Sequence, residues 1–146
     1  MKLFFITHFN ALLITIVAGL MLVVFQQMTD EQDGNFLTNI DVKLAVVNER
    51  LPQMKNDIVS LEKVTFRRPF LIFTMKLNSL TYFEIRKQEL IDVERPILIN
   101  EICSFSKASL RNIIYSNMQF KYIYLDKNNI TIATIILSPE VCSAPN

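Results

Sequence analysis

The sequence predicts an α+β protein: a small antiparallel sheet of about four strands against three or four helices, with one disulfide, behind a single N-terminal transmembrane helix. Three observations predict it. Residues 3–25 contain no Asp, Glu, Lys or Arg. The polar remainder alternates between helical and period-two placement of its apolar residues. Both cysteines, Cys103 and Cys142, fall in that remainder.

The uncharged run comes first. At about 1.5 Å of rise per helical residue it is long enough to cross a hydrocarbon core roughly 30 Å thick. A cleaved secretory signal would end its apolar centre in a small-x-small site, whereas this run exits through Val23, Val24, Phe25, Gln26, Gln27 and Met28. A lipoprotein signal would need a cysteine just after the apolar run, and the first one is Cys103. The expected organisation is therefore an anchor over residues 1–27, a linker over 28–35 and an extracytoplasmic domain over 36–146. Lys2 lies before the span and Asp30, Glu31 and Asp33 after it. Positive charge stays cytoplasmic, which puts the N-terminus inside and the domain in the periplasm. Ala11, Thr15 and Gly19 recur every four residues and form a small-residue stripe, a candidate helix–helix contact in the membrane. His8 and Asn10 sit near the cytoplasmic end, where interfacial water reaches them.

Beyond the anchor, about 110 residues make one domain with a modest core. Residues 26–35 are polar. From there Leu37, Ile40, Leu44, Val47 and Leu51 follow a 3-4-3-4 spacing, an amphipathic helix that Pro52 ends. Its stripe packs either on the domain's own sheet or on a partner; four turns are short for a coiled coil, which favours the sheet. Residues 58–66 are rich in Val, Ile, Thr and Phe and read as a strand. Arg67, Arg68 and Pro69 form a turn. Residues 70–77 alternate, with Leu71, Phe73, Met75 and Leu77 on one face.

Thr81 and Glu84 match a capping box, so a helix is expected from Tyr82. Pro96 breaks or kinks it, and can open a second helix that carries Ile97, Leu98, Glu101, Ile102 and Cys103. Ser106 caps a third, with Leu110, Ile113 and Ile114, and Asn117 suits a left-handed exit. The acidic residues Glu84, Glu89, Asp92, Glu94 and Glu101 have Arg86, Lys87 and Arg95 among them. They read as a solvated, ion-paired helix face rather than as a catalytic pair. Residues 120–125 and 130–137 form a hairpin around Asp126, Lys127, Asn128 and Asn129. Phe120, Tyr122 and Tyr124 share one strand face, and Ile130, Ile132, Thr134 and Ile136 share one face of the next.

Composition excludes several function classes. Fifteen Lys and Arg stand against 14 Asp and Glu, for a net charge of +1, and the two signs are interspersed. That balance leaves no footprint for nucleic acid. Only Gly19 and Gly34 occur, which excludes phosphate-cradling glycine loops. The single histidine is His8, so two cysteines alone make a poor zinc set. In an oxidising compartment an even cysteine count far apart in sequence reads as a disulfide, Cys103 to Cys142. The serines lie in no nucleophile-elbow motif. No cofactor and no enzymatic activity are expected.

The order helix, two strands, helix run, hairpin, with a cysteine closing a helix at Asn100-Glu101-Ile102-Cys103, a hairpin Phe120-x-Tyr122-x-Tyr124-x-Asp126 and a final Cys142, resembles small disulfide-bonded α+β envelope proteins of Gram-negative bacteria. One kind of type II secretion pilotin is among them. The resemblance covers roughly residues 58–142 and carries over Cys103 and Cys142. It implies a periplasmic protein that binds another protein, since such pilotins escort secretin subunits to the outer membrane. They are lipoproteins, and this chain departs from them in lacking the lipidated cysteine. The resulting expectation is an inner-membrane-anchored secretion or assembly accessory factor. An immunity protein against a periplasm-acting toxin is the alternative, and an enzyme, with a Ser–Lys dyad through Lys107, the third reading.

Overall fold

A computed structural model describes residues 40–54, 59–105, 111 and 113–143. The expected anchor over residues 3–25, its Ala11, Thr15 and Gly19 stripe, His8, the linker, Leu37, Ser106, Lys107 and Leu110 lie outside the described residues. Among the described residues no helix is long and apolar enough to cross a membrane.

In chain order the elements are α1 (Ile40–Glu49), β1 (Gln53–Met54), β2 (Val59–Arg67), β3 (Phe70–Leu77), α2 (Lys87–Cys103), β4 (Gln119–Leu125) and β5 (Thr131–Leu137), closed by a 3-10 turn at Pro139–Ser143. The sheet order is β1-β2-β3-β4-β5. Pairing is antiparallel except between β3 and β4, which run parallel from Phe70 opposite Gln119 to Lys76 opposite Leu125. The expected all-antiparallel sheet is thus a mixed one. The cause is the crossover: a strand that leaves one end of the sheet and returns through a helix re-enters in its original direction.

The apolar stripe of α1 packs inward, as expected. Ile40, Leu44 and Val47 are buried, and Leu51 packs against the same core. Asn48, beside that stripe, donates through Nδ2 to Val64 O at 2.7 Å and accepts from Val64 N–H at 2.9 Å. Its amide thus satisfies the main chain of β2 in the way a further strand would.

The expected break at Pro96 does not occur, and α2 runs unbroken through it. Pro96 and Asp92 are both exposed, so the carbonyl deprived of its helical N–H partner faces water. Leu90 before the proline and Leu98 and Ile102 after it are buried on one continuous face. The helix also starts later than expected. Glu84 accepts from Thr81 N at 2.6 Å and Thr81 Oγ1 at 2.7 Å, so the box forms. Yet Arg86 is extended (ψ 128°) and the helix begins at Lys87. Tyr82 N–H is held by Asp126 at 2.9 Å and Leu80 O by Lys127 N–H at 2.9 Å. A turn tied to the hairpin in this way does not share the axis that lays Leu90, Leu98 and Ile102 on the sheet.

Asn117 takes the left-handed conformation (φ 54°) expected of it. Asn117 N–H bonds Ile114 O at 2.9 Å and Met118 N–H bonds Ile113 O at 3.2 Å, the paired bonds of a Schellman ending. The apolar contact that accompanies this motif comes from Ile113 and Met118, both buried.

The core face of the sheet carries Leu61 and Val64 from β2, Leu71, Phe73, Met75 and Leu77 from β3, Phe120, Tyr122 and Tyr124 from β4, and Ala133, Ile135 and Leu137 from β5. Phe73 and Tyr122, register partners, stack at 5.2 Å between ring centroids. A register shift opposite Tyr124 and Leu125 corrects the face expected for Ile130, Ile132, Thr134 and Ile136. The extra residue turns Ile132 inward with Ala133, while the other three stay exposed. Cys103 and Cys142 form a disulfide with their Cα atoms 5.2 Å apart, which joins the end of α2 to the 3-10 turn after β5.

Candidate functional site: an open basic sheet face over a buried carboxyl cluster

Side chains alternate across a strand, so the residues between those of the core face point the other way. On β2 these are Ser60, Lys63, Thr65 and Arg67; on β3 Phe70, Ile72, Thr74 and Lys76; on β4 Gln119, Lys121, Ile123 and Leu125; on β5 Thr131, Thr134 and Ile136. All are half-buried or exposed except Ser60, which is buried at the β2 end of the face. Both α1 and α2 feed the opposite, core side. Register places Thr65, Ile72, Lys121 and Ile136 in one row across four strands, and Lys63, Thr74, Ile123 and Thr134 in the next. The Lys121 ammonium lies 5.6 Å from the centroid of the Phe70 ring, a cation–π contact that folds the lysine down along the face. Among the described residues one carboxylate, that of Glu62 at the β2 register shift, accompanies these cations and accepts from Ser60 Oγ.

Behind the face lies a second polar feature, inside the core. Glu94 and Glu101 sit on the buried side of α2, only 1% and 8% exposed. Tyr124 Oη donates to Glu94 Oε2 at 3.0 Å. Among the described residues Glu94 Oε1 and both carboxyl oxygens of Glu101 have no hydrogen-bond partner. Burial pushes the Glu94 carboxyl up to about 7 against the smaller opposing effect of the Tyr124 bond. Burial, with the nearby Glu94 charge, pushes Glu101 up to about 8. Tyr122 and Tyr124 are raised well above the usual phenol range, again chiefly by burial. Around neutral pH the cluster therefore holds protons that exposed carboxyls would have lost.

This corrects the expected solvated acidic face in part. Glu89 is exposed and ion-paired with Arg86 at 3.5 Å. Asp92 accepts from Gln88 at 2.7 Å, and Glu84 is engaged by Thr81. Glu94 and Glu101 are core residues instead. Spacing held the signal: Leu90, Glu94, Leu98, Glu101 and Ile102 continue a single helical stripe.

Asp126 organises the hairpin end of the sheet. Its carboxylate accepts from the backbone N–H groups of Tyr82, Asn128 and Ile130 at 2.7–2.9 Å. Burial alone would raise the carboxyl, but these three donors, with Lys127 nearby, outweigh it and hold the group below its usual range. Asn129 completes the turn with φ 65°. Among the described residues no group of three or more His, Cys, Asp or Glu side chains is placed to hold a metal ion.

No protein-family model matches the chain, and no curated protein matches it. Solved structures do. A candidate secreted protein of Pseudomonas aeruginosa is similar at 16% identity and a TM-score of 0.57, over 77% of this chain and 98% of that one. The pilotin EpsS of the Vibrio vulnificus type 2 secretion system is similar at 11% identity and a TM-score of 0.51, over 72% of this chain and 88% of that one. The fold is pilotin-like. The pilotin AspS of Vibrio cholerae matches more loosely, at 10% identity and a TM-score of 0.48, over 80% of this chain and 96% of that one.

Proposed function

We propose that this chain is a non-enzymatic accessory protein of a bacterial envelope that works by binding another protein. Residues 3–25 would hold it in the inner membrane, with residues 36–146 in the periplasm. The observation that carries the reading is the open sheet face. Its mixture of cations and half-buried Ile and Phe belongs to a fold shared with a secretion-system pilotin. The Cys103–Cys142 bond supports a compartment outside the reducing cytosol. The uncharged run over residues 3–25 supports an anchor.

Two measurements on the full chain in a Gram-negative host test this. Thiol labelling of intact cells should find Cys103 and Cys142 reactive only after reductant, from the periplasmic side. Crosslinking in the periplasm followed by membrane fractionation should recover the chain from the inner membrane joined to a protein partner. Free cytoplasmic thiols, or a chain without a protein adduct, would contradict the reading.

A further inference from the structure

We infer that the outer face of the sheet is the docking surface and that its occupant is an acidic segment of the protein partner, with apolar residues interspersed among its carboxylates. The inference rests on the protein-binding reading above and adds the place and chemistry of the contact.

Charge segregation carries it. The whole chain is nearly neutral, at +1, yet the outer positions of β2, β3 and β4 hold Lys63, Arg67, Lys76 and Lys121, against one carboxylate among the described residues, that of Glu62. Arg68 extends the set into the β2–β3 turn. The exposed acids Asp41, Glu49, Glu84, Glu89 and Asp92 lie instead on the helices and on the turn before α2, where Arg50, Arg86, Lys87 and Arg95 are exposed among them and leave that side near balance. A segment bearing carboxylates is therefore attracted to the sheet side more than to the balanced helix side, which orients it before contact.

The placement of the lysines points the same way. Lysines on edge strands protect a sheet from unwanted pairing, but Lys76 and Lys121 occupy β3 and β4, each hydrogen-bonded to strands on both sides. Edge protection does not account for them. Lys121 stands in its row between Ile72 and Ile136, with its ammonium at the Phe70 ring. Neighbouring strands are about 4.8 Å apart, and same-face residues along a strand about 6.7 Å apart. Cation and apolar side chain thus alternate at a spacing one short peptide segment spans. A lipid surface fits less well. The apolar side chains of Phe70, Ile72, Ile123 and Leu125 are half-buried between their neighbours rather than projecting, and the chain contains no Trp.

The test uses the full chain in its membrane, with a photocrosslinking residue placed in turn at Ile72, Ile123 and Thr134. Val42 on α1 (64% exposed) and Phe83 (93% exposed) serve as control positions. The sheet positions should form adducts with a protein segment of net negative charge, identified by mass spectrometry. Lys63→Glu with Lys121→Glu should lower their yield at least about tenfold, while Lys63→Arg with Lys121→Arg should keep it. Melting of each variant confirms that it is folded. Adducts only with phospholipid, with a second copy, with residues 26–37 of the same chain, or with a neutral or basic segment would overturn the inference, as would no adduct. Protein adducts at Val42 or Phe83 but at none of the sheet positions would leave protein binding standing and remove the sheet face from it.

Discussion

The two faces of the sheet are built from the same four long strands and meet opposite requirements. The inner face is closed: Phe120, Tyr122, Leu71, Val64 and Leu77 have no exposed surface, and even its carboxyl groups are sealed in beneath α2. The outer face, one residue out of step along each strand, is half-buried or exposed apart from Ser60 and carries nearly all the charge of the strands. Strand parity thus separates stability from recognition. Substitutions on one face should change the folding equilibrium, and those on the other should change what the protein touches.

The sharpest contrast comes from neighbours on one strand. Phe120→Ala should cost about 3–5 kcal/mol through the cavity left in the core, whereas Ile123→Ala, half-buried on the outer face, should cost about 1 kcal/mol or less. Urea denaturation of the two variants measures both. Equal costs would mean that the outer face is itself packed against something.

The carboxyl cluster gives the inner face a pH dependence of its own. Glu94 and Glu101 titrate at about 7 and 8 in the folded protein, against 4.5 when unfolded. Between those values the folded state binds more protons than the unfolded state. Stability is therefore greatest below about pH 4.5, as far as these two groups are concerned. It falls as the pH rises from there through 8, because the unfolded carboxyls release their protons first. Denaturation at pH 5 and pH 9 should show that fall. Glu101→Gln, which cannot ionise, should flatten it and raise stability at pH 9. A curve that rises toward alkaline pH would contradict the burial of the pair.

Asn48 tests whether the edge of β2 is held by its side chain. Asn48→Ala leaves the N–H and C=O of Val64 without their partner and should cost about 1–3 kcal/mol, with faster amide exchange at Val64 as the local readout. Unchanged exchange there would show that water replaces the amide without loss.

Much of this arrangement was legible because it is local. The stripe of α1, the alternation of β3, the hairpin loop at Asp126 and the left-handed Asn117 each follow from residues within a few positions of one another. What was not legible depends on distant partners. Strand direction between β3 and β4 is decided by how residues 78–118 cross over, and nothing within either strand records it. Pro96 is tolerated because its side of the helix faces water, which no local rule states. The bulge that turns Ile132 inward breaks period two from across the ladder. Glu94 and Glu101 were hidden by their charge: a carboxylate reads as solvated until a tyrosine on another element is seen against it. The basic face was hidden for a related reason, because Lys63, Lys76 and Lys121 are far apart in sequence and only the register brings them onto one surface.

The separation of the two faces is tested most directly by Lys63→Glu with Lys121→Glu, measured in one strain for melting temperature and for recovery of the crosslinked partner. The melting temperature should stay within about 2 °C of the unaltered chain while the partner is lost. A partner retained at full yield, or lost only together with the fold, would contradict it.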